Sequence, residues 1–309
     1  MVLSLCFSIF TVAVTQAETD YEVALQGPTW DHSVITVLIT PPLNVSWWSP
    51  SYLNATLHAI SQWNEAIASF AGTHSDFAYL SRLRFEPQVS DSKESGFDSY
   101  VSWIEKFESN VTCEAGLSRT TIESPGIVTR NSVTISAYDC YGNVLSEADS
   151  QNVALHELGH VLGLGHANYT DDLMYFSYTL SSPVRAVSTL DLYGVGVVFR
   201  WMAVSLEFDQ ANMGSRIYSV TLPSEISYEH LEISEKNLPP QTVFEQFRNY
   251  LWLGAEAIAK PEFWVFMVLL TVALVTVFVI LRRVRRKTGG SGQSIKRVAS
   301  AVMALKKED

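Results

Sequence analysis

Residues 156 to 166 read HELGHVLGLGH, which sets three histidines and a glutamate within eleven positions. Residues four apart on a helix project from one face. His156 and His160 can therefore present two imidazoles to one metal ion, while Glu157 beside them reaches its open coordination position. Two ligands are too few. Gly163 can take the positive φ that ends a helix, which lets the chain turn back and bring His166 to the third position. Three neutral imidazoles and a water form a tetrahedral zinc site with one exchangeable position, the arrangement of a catalytic rather than a structural ion. Zinc lowers the pKa of such a water toward neutrality, and Glu157 can take its proton during attack on a peptide carbonyl, then pass it to the leaving amine. An H-E-x-x-H pair alone recurs in helices as a solvated face, but here the added glycine and third histidine fix five positions. His32, His58, His74 and His230 show no ligand spacing. One catalytic Zn2+ is the cofactor expected, and the sequence is silent on structural Ca2+.

A helix beginning near residues 146 to 150 must carry the first two ligands, and other elements must hold it. VITVLI, from Val34 to Ile39, is an apolar β-branched run of strand length closed by Pro41 and Pro42. After Ser49 and Pro50, the residues Leu53, Leu57, Ile60, Trp63, Ile67 and Phe70 recur at spacings of three and four and predict a helix. Strand-like segments follow around 83 to 87, 100 to 104, 117 to 122 and 132 to 137. Strand, helix, several strands and helix give an α/β layer arrangement, a mixed sheet of about five strands with two main helices packed on it.

With the motif and the element order in place, the chain resembles the metzincins, and among them the matrixins most closely. In those enzymes a methionine turn lies beneath the zinc. Here Met174, in DDLMYFSY, falls eight residues after His166, and Tyr175 follows it as in the family. Phe176 stands where matrixins usually have Pro, and Ala167 where they usually have Ser. The segment STLDLYGVGVVF, from Ser188 to Phe199, looks like the closing C-terminal helix of the matrixin catalytic domain. By that resemblance Asp191 would hydrogen-bond the methionine turn and Met174 would form a hydrophobic floor. The likeness runs from about residue 28 to residue 200 and implies a zinc metalloendopeptidase acting on polypeptides. Neither a cysteine-switch propeptide before Pro28 nor a hemopexin-like region is expected.

The ends of the chain speak to location. Residues 1–17 form an apolar run closing in small residues, which reads as a signal peptide cleaved after Ala17; a mis-assigned start and a short uncleaved anchor are the other readings, since the usual basic n-region is missing. From Phe263 to Leu281 no charge interrupts an apolar stretch long enough to cross about 30 Å of hydrocarbon as a helix. RRVRRK follows it, and the positive-inside rule keeps that end cytoplasmic. The organisation expected is a signal peptide at 1–17, a protease domain at 18–200, a juxtamembrane spacer at 201–262, a transmembrane helix at 263–281 that engages the lipid bilayer, and a basic tail at 282–309. The tail is either a short amphipathic helix on the inner leaflet or a disordered basic segment. The protein is thus expected to be single-pass, its catalytic domain extracytoplasmic and its C-terminus cytoplasmic.

Charge agrees with that division. Nine of the 21 Lys and Arg but two of the 32 Asp and Glu lie from Arg282 onward, so the remainder of the chain is strongly acidic. That excludes nucleic acid as a partner of the body, because phosphate binding draws on clustered Lys and Arg. If the signal is removed, Cys113 and Cys140 are the two cysteines left, expected to pair in an oxidising compartment or else to stand as buried free thiols. Sequons begin at Asn44, Asn54, Asn110 and Asn168; the last follows a zinc ligand so closely that Asn168 is expected to be unmodified or to point away. A second functional reading is a catalytically inactive zinc-containing membrane adhesion or receptor module, against which the intact Glu157 counts.

Overall fold

The computed structural model describes residues 20–231, apart from residues 93, 109–112, 125, 178 and 210–215. The signal segment, the apolar run at 263–281, the basic tail, most of the expected spacer and the sequon at Asn110 lie outside the described residues. Among those described, no helix is long and apolar enough to cross a membrane.

The protein is a mixed α/β fold. Its main sheet has five strands in the order β3-β2-β4-β6-β5: β2 is Val34–Ile39, β3 Arg84–Val89, β4 Ser99–Ile104, β5 Gly116–Ser124 and β6 Ile127–Ser136. Neighbours β3, β2, β4 and β6 run parallel, and β5 is antiparallel to β6. β3 and β5 are therefore the edges, and Pro87 sits on the β3 edge, where a missing N–H is tolerated.

Helix α1, Pro50–Thr73, starts at Ser49, whose side chain accepts from the Ser51 N–H, with Pro50 at the first position, where its missing donor costs nothing. The apolar positions that announce this helix are its buried face apart from the half-buried Leu57, with Ile60, Trp63, Ile67 and Phe70 fully enclosed. Trp63 Nε1 donates to the Leu155 carbonyl at 2.9 Å, pinning α1 to helix α2, Glu147–Val161. α2 opens on a capping box: Ser146 Oγ accepts from the Asp149 N–H, and the Asp149 carboxylate accepts from the Ser146 N–H. Acidic Glu147 and Asp149 in its first turn also suit the positive end of the helix dipole. Helix α3, Thr189–Val198, repeats the device with Ser188 and Asp191.

Two short strands carry no signal in the sequence. β1, Glu22–Leu25, lies between β7, Leu164–Ala167, and β8, Ser219–Thr221, in a separate antiparallel sheet. Four residues are too few for alternation to declare a strand, and β7 looks like the end of the histidine motif.

The boundary expected at residue 200 is not where the packing ends. Residues 200–203 form a 3-10 turn with Trp201 and Met202 buried, β8 pairs with β1, and the Leu231 N–H donates to the Val187 carbonyl at 2.9 Å. The described part of the expected spacer therefore belongs to the body, because its backbone groups are satisfied there rather than by water.

Cys113 and Cys140 are joined in a disulfide with Cα atoms 5.1 Å apart, which ties the approach to β5 to the turn after β6. Closing a loop of 27 residues contributes roughly 3–4 kcal/mol in the chain-entropy account.

Candidate metal centre

α2 brings His156 and His160 to one face. Its C-cap is Leu162, and Gly163 then takes φ +89°, a conformation that any side chain would strain. The turn delivers His166 on β7. Each histidine offers a ring nitrogen to a group lying within 4.8 Å of one another. Zn–N bonds of about 2.0–2.1 Å in a tetrahedron require nitrogens about 3.3 Å apart, a separation within the limit that this cluster sets.

The ring orientations are set by backbone carbonyls. His156 Nδ1 donates to Leu173 O at 3.0 Å and His160 Nδ1 to Leu164 O at 2.8 Å. A carbonyl can only accept, so both rings carry their proton on Nδ1 and leave Nε2 for a metal. Burial drives the His156 pKa down to about 3 and that of His160 to about 4, with His166 also lowered by burial. All three are neutral at neutral pH, as ligation requires.

Glu157 is buried, and its Oε2 has no hydrogen-bond partner among the described residues. Its carboxylate meets the Ser118 N–H of β5. A Cβ on Gly116 would stand 2.5 Å from Glu157 Oε1, so glycine there is what lets the edge strand approach. Burial first, and then the neighbouring Glu114, push the Glu157 carboxyl up to about 8. A dication held by the three histidines would act in the opposite direction. A buried carboxylate oxygen without a partner, next to three neutral imidazoles, is a donor set that fits a zinc ion.

Beneath the cluster the chain turns at residues 172 to 175. Met174 is fully buried, and a Cβ on Gly159 would overlap its Sδ, so the thioether packs against α2 between the two helical histidines. Met174 O accepts from the Ala167 N–H at 2.9 Å, which fixes the turn to the residue after His166. Tyr175 forms a bridge to Ala167 as well, and Phe176 is exposed with its ring centroid 6.4 Å from that of His166.

Residues 56–200 match the matrixin peptidase family. The chain carries a matrixin-like metzincin domain. The match holds both helical ligands, the third histidine, Met174 and α3, and begins within α1 rather than at the first strand. Metalloendoproteinase 2-MMP of Arabidopsis thaliana is 30% identical over 69 residues, which covers 22% of this chain and 18% of that protein. The aligned stretch is thus less than a fifth of the relative's length.

Within this matrixin-like domain, Asp191 caps its own helix and meets the methionine turn at the carboxyl of Asp172, rather than at the turn's backbone. Both are fully buried, and Asp191 Oδ1 has no other partner. Burial first, and then the neighbouring Asp172 carboxyl, hold Asp191 well above the ordinary carboxylate range.

Asn168 is bound on both sides of its amide. Its Oδ1 accepts from the Glu22 N–H at 3.0 Å, and its Nδ2 donates to Asp20 O at 2.9 Å. An Nδ2 so engaged supports an unmodified Asn168. Sequence reasoning did not find Gly116, Asp172 or Ser188, nor the carbonyls of Leu164 and Leu173. Backbone acceptors leave no trace in residue identity, and Asp172 joins Asp191 only through the fold.

Proposed function

We propose that this chain is a membrane-anchored zinc-dependent endopeptidase that hydrolyses peptide bonds of extracytoplasmic polypeptides. The observation that carries the reading is the buried, unpartnered Glu157 oxygen set beside three neutral histidines at an open sheet edge. His156, His160 and His166 would hold the ion, with the Leu173 and Leu164 carbonyls orienting the first two rings. Zinc, when bound, supplies Lewis acidity that acidifies water and polarises a carbonyl.

The chain's own groups do the rest. Glu157 accepts the proton of the attacking water, and the resulting carboxylic acid returns it to the departing amine nitrogen. Burial keeps that carboxyl from exchanging its proton with bulk solvent between the two steps. β5 has no strand on its outer side among the described residues, so its backbone groups can pair with an extended peptide lying past Glu157.

Anchoring is supported by the uncharged run at 263–281 and the basic residues after it. The test is cleavage of casein by the full-length chain in detergent, with zinc, with a chelator, and with Glu157→Ala. Activity that vanishes on chelation, returns with zinc and is missing from the variant supports the peptidase. Bound zinc with no cleavage by the unsubstituted chain would favour a binding module instead.

A further inference from the structure

Three segments distant in sequence meet behind the third histidine. The Tyr228 ring stacks on Tyr21, centroids 4.3 Å apart and planes within 11°, and Tyr169 stands edge-on to both at 5.0 and 5.1 Å. Tyr169 belongs to the loop between His166 and Met174, Tyr21 precedes β1, and Tyr228 lies beyond the residues 56–200 that match the family.

The Tyr228 hydroxyl donates to Asp172 Oδ2 at 3.1 Å, where Ser188 Oγ also donates at 2.6 Å. Asp172 Oδ1 in turn accepts from the Met174 N–H at 2.9 Å. Between these two residues, the Leu173 carbonyl accepts from His156 Nδ1 at 3.0 Å. One fully buried carboxylate and one turn thus connect the phenol to a histidine of the cluster.

We propose that Tyr228 is a positioning residue for the metal centre, acting through Asp172 to hold the 172–174 turn where Leu173 aims the His156 ring and Met174 backs the helix. The inference rests on the zinc reading above. A buried carboxylate stays where its donors put it, since an oxygen left unpaired there is costly. Losing the phenol leaves the Ser188 hydroxyl and the Met174 N–H to hold Asp172, and the turn can relax toward them. The segment at 216–231 then serves the metal centre from outside the family-matched region.

The experiment is zinc affinity of the full-length chain in detergent at 25 °C, measured by competition with a chromophoric chelator. Partners behind metal ligands change affinity by about 10–100-fold, and Tyr228 stands one bond further back, so Tyr228→Phe is expected to bind zinc about tenfold more weakly. Tyr21→Phe, which keeps the ring stack and removes a hydroxyl without a hydrogen bond to described residues, is expected to bind as the unsubstituted chain does. A packing role alone would lower the unfolding temperature of Tyr228→Phe and leave its zinc affinity unchanged, which overturns the proposal. Failure of the unsubstituted chain to bind one zinc would bring down the zinc reading itself, and this inference with it. Should Tyr228→Phe not fold, hydrogen exchange at the Met174 amide of the unsubstituted chain carries the test: strong protection is expected, and exchange at the rate of an open loop overturns it.

Discussion

The metal centre is assembled from two halves built on different principles. One half is α2, where His156, Glu157 and His160 are set by helical geometry and clamped by α1 and β5. The other is the β7 strand and methionine turn: His166 sits on β7, which pairs with β1 and through it adjoins β8, and the turn is bonded at Asp172 to Tyr228, so its partners come from opposite ends of the described chain. Local periodicity suffices for the first half. The second exists only when residues more than 140 positions apart pair, as Glu22 does with Asn168. Ligands on a packed helix are preorganised before metal arrives, whereas a ligand on a clasped strand is as secure as its clasp.

The largest expected effect separates the halves by stability. Trp63→Ala removes a fully buried ring and its bond to Leu155, and is expected to cost about 3–5 kcal/mol in urea unfolding, enough to loosen the helical half and the whole domain together. A loss below about 1 kcal/mol would mean that α1 does not hold α2 in place.

Asn168→Ala acts on the clasp alone. It removes two hydrogen bonds to residues 20 and 22, at about 0.5–1.5 kcal/mol each, and is expected to speed zinc release while leaving α2 folded by circular dichroism. Unchanged release would show that the Asn168 side chain contributes nothing to the third ligand, the backbone pairing of β1 with β7 being enough.

The smallest effect is a pH dependence. Asp191 has its folded pKa raised, so the folded chain binds a proton that the unfolded chain gives up near pH 4. Stability from this group is therefore full at low pH and declines as pH rises above about 4 toward the folded value. Asp191→Asn keeps a donor toward Asp172 without that proton. Its stability is expected to match the unsubstituted chain at pH 5 and exceed it at pH 8.5, by thermal unfolding at both values. Equal slopes would contradict a raised Asp191 carboxyl.

How much was legible follows the same division. The i, i+4 histidines, the glycine after them and the apolar stripe of α1 are local facts with local consequences, β2 announces itself by a β-branched run, and the other strands of the main sheet read as strand-like segments. β1 and β7 did not, because strands of four residues borrow their identity from a partner. Asp191 was flagged by resemblance, but its partner Asp172 was not, since a carboxyl pair is a property of the fold. The segment after residue 200 read as a spacer because its anchoring groups, Tyr228 and a few backbone amides, have no pattern along the chain.

Both halves face one ion position, with His156 and His160 on α2 and His166 on β7. Zinc K-edge X-ray absorption of the full-length chain loaded with one equivalent of zinc tests it directly. Three imidazole nitrogens and one oxygen at about 2.0–2.1 Å, with one imidazole lost in His166→Ala, is the result expected. A sulfur scatterer at about 2.3 Å, or a first shell that His166→Ala leaves unaltered, would contradict it.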